Sequence, residues 1–147
     1  MNTLKNLLAG LGGAAALNFL HESLKHSGSD MPRIDLLGEE ALQKGLNYAA
    51  TEIENEDNLY AATLGADVMS NAVYYSAIGV GSPKYVWHRA VALGLSAGLG
   101  AITLPEKMGL DPEPVTKSQK TKALTIAYYL AGALVTAGII SAQNRDV

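Results

Sequence analysis

The chain has 147 residues, a formal net charge of −3 and no cysteine, and 48% of its residues are hydrophobic. A single domain is expected at this length. The absence of cysteine excludes disulfides and thiolate metal sites, and the weakly acidic charge argues against a nucleic-acid partner. Three histidines (His21, His26 and His88) are too few for a histidine-rich site, so we expect no metal ion and no cofactor.

Four apolar stretches separate the charged segments of the chain, at residues 4–20, 60–81, 85–104 and 123–142. The last of these carries no charged residue, and two of the four are longer than ordinary core helices. The pattern predicts an all-α, polytopic membrane protein, with four transmembrane helices in one domain over residues 1–147. A signal peptide is the alternative for the first stretch, and a soluble bundle of long hydrophobic helices is the alternative for the whole chain.

An amphipathic helix is predicted between the first and second stretches, at about residues 34–54. Its apolar residues recur at helical spacing: Leu37, Ala41, Leu42, Leu46, Ala49 and Ile53. The opposite face carries Glu39, Glu40, Gln43, Lys44 and Asn47. Because basic polar faces favour lipid surfaces and this face is acidic, we expect the helix to dock on protein.

Short polar segments separate the later stretches. Gly81, Ser82 and Pro83 predict a tight turn between the second and third helices. Three prolines in residues 104–120 are expected to interrupt the chain before the fourth helix. Thr116 or Ser118 is placed to cap that helix.

The distribution of basic residues predicts the orientation in the membrane. Four spans place both termini on one side, together with Lys5, Lys84, Arg89 and Arg145. The other side receives Lys25, Arg33, Lys44, Lys107, Lys117, Lys120 and Lys122. Basic residues concentrate on the cytoplasmic side, so we expect both termini on the non-cytoplasmic side.

Asp67 lies inside the second apolar stretch, where an ionisable side chain is costly and usually faces the interior of the bundle. Asn71 and Tyr74 follow it at i+4 and i+7, which places the three residues on one helix face. Asn18, Tyr128 and Tyr129 are expected at nearly the same depth. These residues are candidates for a proton or ion site, or for a polar core that holds the helices together.

The segment "NFLHESLKH", residues 18–26, contains the candidate acid–base pair His21 and Glu22. Adjacent side chains diverge by about 100° around a helix, so the pair needs a third group on which to converge. Lys25, or the lysines in residues 117–122, could then hold a phosphate. A solvated helix end explains the same residues without catalysis.

Small residues mark the third stretch: Ala90, Gly94 and Gly98 recur every four residues and predict a close helix–helix contact. The partner of this face is either another helix of the chain or a second copy. Tyr85, Trp87, His88 and Arg89 at the start of the stretch are typical of an interfacial anchor.

The chain resembles a group of small, uncharacterised bacterial membrane proteins. The resemblance lies in "ALNFLHESLKH", "PRIDLLGEEAL" and "LPEKMGLDPEPVTKSQKTKALTIAYYLAGAL", which together cover about half of the chain. It implies a location in the bacterial inner membrane and no particular activity.

Three functions follow from these patterns. The first is a non-enzymatic membrane protein that acts as a homo-oligomer or as an accessory to a membrane-protein partner. The second is a proton- or cation-linked transporter or channel centred on Asp67. The third is a membrane-embedded enzyme that uses His21 and Glu22 on a lipid-type substrate. We expect the first, in contact with the lipid bilayer.

Overall fold

A computed structural model describes residues 2–145, and this part of the chain is helical without strands. The helices are, in chain order, α1 (Thr3–Leu24), α2 (Ile34–Tyr48), α3 (Glu56–Ser76), α4 (Val86–Lys107), α5 (Glu113–Thr116) and α6 (Gln119–Arg145). Short 3-10 turns at Ala77–Gly79 and Pro83–Tyr85 join α3 to α4. The prediction of an all-α fold is confirmed.

Polar side chains fix the starts of three long helices. The side chain of Asn2 accepts a hydrogen bond from the Leu4 amide at 3.0 Å, and that of Asn55 accepts one from the Asn58 amide at 2.9 Å. Ser118 Oγ accepts from the Thr121 amide at 3.1 Å, as predicted for the last helix. Each contact satisfies an amide that has no partner within its own helix.

The four long helices form a row in which α1 packs along α3 on one side and along α6 on the other. Helix α6 packs in turn along α4, so α3 and α4 stand at the two ends of the row. The row curves, so that α3 and α4 meet at one point. There the Tyr74 hydroxyl on α3 donates to the Leu93 carbonyl on α4 at 2.9 Å. Helix α2 lies across one end of the bundle, where it packs against α3 and α5.

Small residues allow the helices to approach closely. A Cβ atom at Gly94 would lie 2.8 Å from the Ala133 Cβ, and one at Gly98 would lie 2.7 Å from the Ile126 Cα. Both neighbours belong to α6. The predicted face of Ala90, Gly94 and Gly98 is therefore buried within the chain and is not left free for a second copy.

Alanines and threonines make up much of the interior of this bundle, whereas its exterior carries large apolar residues. Thr121, Thr125 and Thr136 are fully buried, and six of the buried core residues are alanines. Large side chains at helical spacing face outward on three helices: Leu4, Leu8 and Leu11 on α1, Met69 and Val73 on α3, and Val91, Leu95 and Leu99 on α4.

Among residues 2–145, α6 is the helix that is long and apolar enough to cross a membrane by length and composition. The prediction of four such spans is not supported by this criterion. The reason is visible in the sequence, since α1 contains asparagines and glycines and α3 contains Asp67 and Asn71. Helix α4 contains His88 and Arg89 near its start.

Two predicted boundaries were wrong. The amphipathic helix ends at Tyr48 instead of near residue 54, and the chain turns at Ala50, which has a φ of 56°. Helix α4 continues through Pro105 to Lys107, although a break was expected there. The turn occurs at Gly109, with a φ of 74°, a conformation that glycine adopts without steric cost.

Candidate functional site

A cavity of about 570 Å³ lies between α3 and α4. Helices α1 and α6 form its back through Leu17 and Tyr129, and α2 closes one end. Ser70 on α3 and Ser96 on α4 also line the cavity and are exposed, so its mouth opens between these two helices. The walls are mainly apolar and include Leu64, Ala97, Gly100, Ala101 and Leu104.

Asp67 points its carboxylate into this cavity between two amides. Asn18 Nδ2 on α1 donates to Oδ2 at 3.0 Å, and Asn71 Nδ2 on α3 donates to Oδ1 at 3.0 Å. Asn18 also donates to the Ala14 carbonyl, which fixes the orientation of its amide. Within residues 2–145, no lysine, arginine or histidine makes an ion pair with Asp67.

His21 lies at the α2 end of the same cavity, between two carboxylates. Its Nδ1 is 3.3 Å from Glu22 Oε1, and its Nε2 is 3.3 Å from Asp35 Oδ1. The first of these contacts joins adjacent residues, although their positions diverge by about 100° around the helix. The second comes from α2, so the His21 ring lies between the Glu22 and Asp35 carboxylates.

Two cations complete this polar cluster. Arg33 donates to both oxygens of Asp35, at 2.9 and 2.8 Å. Lys25 Nζ lies 2.8 Å from Glu22 Oε2 and 3.6 Å from Asp35 Oδ2. Glu22 and Asp35 are thus balanced by Lys25 and Arg33.

The ion pairs shift the titration of the cluster. Burial raises the pKa of Asp35, but the adjacent His21 imidazole and Arg33 guanidinium outweigh it and hold the pKa well below its usual range. Burial likewise opposes the charged forms of Glu22 and Lys25. Their mutual contact dominates, so the pKa of Glu22 is lowered and that of Lys25 is raised. Both carboxylates are therefore ionised at neutral pH.

Two buried polar atoms on the cavity wall have no hydrogen-bond partner among the described residues: Thr63 Oγ1 and His21 Nε2. Nε2 lies 3.3 Å from Asp35 Oδ1, an ion-pair contact that does not meet hydrogen-bond geometry. Thr63 is 6% exposed and His21 is 4% exposed, so bulk solvent does not reach them freely. Buried polar atoms without a partner are rare in folded proteins. Because His21 Nε2 faces the Asp35 carboxylate, Thr63 Oγ1 is the atom that marks where a bound group would be held.

The structure brings most of the predicted polar residues to one site. Asn18, His21, Glu22, Asp67 and Asn71 line the cavity, as do Tyr74 and Tyr129. Tyr128 is placed elsewhere, because its hydroxyl contacts the Met31 sulfur at 3.9 Å. The lysines in residues 117–122 and His88 do not line it.

Asp35 and Arg33 were not predicted as site residues from the sequence. Both lie in "PRIDLLGEEAL", at the start of the amphipathic helix. Their signal was present, because an aspartate in the first turn of a helix is stabilised by the helix dipole. A carboxylate before an apolar run also has a structural explanation, however, and the local pattern does not show that His21 lies opposite.

The site as a whole is an apolar cavity in an all-helical bundle, with one amide-held carboxylate and one balanced ionic cluster. Within residues 2–145, no group of three histidine, aspartate or glutamate side chains is arranged to hold a metal ion. No family model, curated protein or solved structure matches the chain.

Proposed function

We propose that the protein is a multi-pass membrane protein that binds the apolar chain of an amphiphile in the cavity between α3 and α4. The observation that carries the proposal is the cavity itself, which combines an apolar wall, a lateral mouth and a polar end. Binding sites for small molecules are typically concave and mostly apolar, with a few placed polar groups. The function is a non-enzymatic one, consistent with the role of an accessory component in a membrane.

The distribution of residues supports lipid as the surroundings. Large apolar side chains face outward, and Phe19 is 72% exposed. Small and hydroxyl-bearing residues mediate the helix contacts, as is usual where lipid surrounds a bundle. The exposed hydroxyls of Ser70, Ser96 and Thr103 donate to carbonyls of their own helices and so need no water.

In this proposal α1, α3, α4 and α6 cross the bacterial inner membrane at about residues 4–20, 60–81, 85–104 and 123–142. The ionic cluster of Glu22, Lys25, Arg33 and Asp35 then lies just beyond the spans, on the side of α2. The excess of lysine and arginine supports a cytoplasmic location for that side and a non-cytoplasmic location for both termini.

Single cysteines test this topology without background labelling, because the chain has none of its own. A membrane-impermeant maleimide applied to intact cells should label Asn2→Cys but not Lys117→Cys, and Val73→Cys should stay unlabelled after the membrane is opened. Rapid labelling of Val73→Cys would contradict a lipid-facing α3. Labelling of Lys117→Cys alone in intact cells would reverse the orientation.

Amphiphile binding is tested with a dodecanol that carries a photoreactive diazirine in its chain. In lipid nanodiscs this probe should label the cavity walls, and the labelling should saturate as the probe concentration rises. Ala97→Trp, which fills the cavity, should abolish the saturable labelling. Leu95→Trp is the matched control, because Leu95 is on the same helix and faces outward. Equal, non-saturable labelling in all three proteins would overturn the proposal.

A proton- or cation-linked transporter is the second candidate, and the position of Asp67 inside the bundle favours it. Proteoliposomes loaded with a pH-sensitive dye should then show a flux that Asp67→Asn removes and Asp57→Asn keeps. Absence of flux in the wild type eliminates this candidate. An acid–base role for His21 and Glu22 on a lipid-type substrate has no comparable support, because Lys25 and Arg33 are already engaged by carboxylates.

A further inference from the structure

We infer that the cavity selects an amphiphile with a cationic nitrogen, and that Asp67 binds this nitrogen with the Thr63 hydroxyl as second acceptor. The inference rests on the proposed amphiphile site and specifies the headgroup of its ligand.

The charges that surround the cavity support a cationic ligand. Lys25 is held by Glu22, and Arg33 is held by both oxygens of Asp35, so neither is free to bind an anion. Asp67 is different, because its hydrogen bonds within residues 2–145 come from the neutral amides of Asn18 and Asn71. A carboxylate inside an apolar cavity gains most from a bound cation, since few other charges or water molecules compete there.

The acceptors are arranged on one helix face. Thr63 and Asp67 are at i and i+4 on α3, about 6 Å apart along the helix axis, and both line the cavity. Thr63 Oγ1 is buried and has no partner among the described residues. An alkylammonium group has three N–H donors, so it can satisfy a carboxylate oxygen and the hydroxyl together.

The apolar wall determines the chemistry of the ligand beyond its cationic nitrogen. Leu64, Ala97, Gly100 and Ala101 line the same cavity as the two acceptors and offer no further hydrogen bonds from side chains. A bare metal ion or a small hydrophilic amine would leave this wall in contact with water. An alkyl chain would cover it, at about 25 cal/mol per Å² of apolar surface removed from water.

The experiment compares three competitors of equal chain length, dodecylamine, dodecanol and dodecanoate, against the photoreactive dodecanol. The full chain is used in nanodiscs of zwitterionic lipid, so that surface charge does not concentrate the amine. For the wild type, the amine should displace the probe at a concentration at least tenfold lower than the alcohol, and dodecanoate should be weakest. A charge-assisted hydrogen bond supports a difference of this size.

Asp67→Asn keeps the shape of the side chain and should remove the preference for the amine. Asp57→Asn, an exposed aspartate on the same helix, should retain it. If Asp67→Asn does not fold, the ranking of the three competitors by displacing concentration on the wild type still tests the inference. Equal displacement by amine and alcohol would overturn the inference and leave the amphiphile site intact, whereas no displacement by any of the three would overturn both.

Discussion

Nε2 of His21, near the end of α1, lies 3.3 Å from Oδ1 of Asp35, the second residue of α2. This contact ties the amphipathic helix to the bundle, because α2 has no buried residue of its own. Arg33 and Lys25 reinforce it from either side of the carboxylate. Ionic contacts therefore help to hold α2 over the end of the cavity, beside the packing of Ile34 against the core.

The pH dependence of stability should report on Asp35. Its pKa is lowered in the folded protein, so its contribution to the free energy of unfolding is present above its unfolded pKa of about 4 and is lost as pH falls below it. Asp35→Asn should lower that free energy by about 1–3 kcal/mol at neutral pH, and the difference from wild type should shrink in acid. Thermal unfolding in detergent micelles between pH 3 and 8 measures this.

Asp57→Asn is the control for this experiment, since Asp57 is exposed at the start of α3. It should differ little from wild type throughout the range. A difference between wild type and Asp35→Asn that stays constant down to pH 3 would contradict the assignment of the ion pairs.

Two glycine-to-alanine substitutions should have opposite effects. A Cβ atom at Gly98 would press on the backbone of Ile126, whereas one at Gly65 meets nothing within 4 Å. Gly98→Ala should lower the free energy of unfolding by about 1–3 kcal/mol. Gly65→Ala should raise it by roughly 0.5–1 kcal/mol, because alanine restricts the unfolded chain. Chemical denaturation measures the free energy of unfolding of both variants. Equal effects would show that α4 and α6 are not in close contact.

The hydroxyl of Tyr75 should stabilise the contact between α3 and α6. The ring is fully buried and the hydroxyl donates to the Tyr129 carbonyl at 2.7 Å. Tyr75→Phe should lower the free energy of unfolding by about 0.5–1.5 kcal/mol. Tyr85→Phe, at a half-exposed position, should have little effect. Thermal unfolding of the two variants makes the comparison, and a neutral Tyr75→Phe would argue against this contact.

Lys44 should hold the far end of α2. Its Nζ donates to the carbonyls of Met108 and Gly109 at 2.7 and 3.3 Å, just after α4 ends. Lys44→Met should lower the free energy of local unfolding of α2 by about 1 kcal/mol. Amide hydrogen exchange in α2 should then become about fivefold faster. Lys107→Met serves as the control. Unchanged exchange in α2 would mean that the Lys44 contact does not hold this end of the helix.

The sequence by itself determined the helices, because apolar periodicity, capping residues and turn residues act over a few positions along the chain. It also placed Asn71 beside Asp67, since residues four apart on a helix are neighbours. Ser118 as a cap followed from the same local rules. The ends of α2 and α4 were missed where a left-handed residue, instead of a proline, ended the helix.

The tertiary structure alone decided which helices are neighbours. Asn18 meets Asp67 and Asp35 meets His21 across different helices, and nothing in the local spacing specifies those pairs. The small-residue face of α4 was readable in the sequence, but its partner, α6, was not. The cavity exists because α3 and α4 stand apart at the ends of the row, and such a gap depends on the packing of the whole bundle.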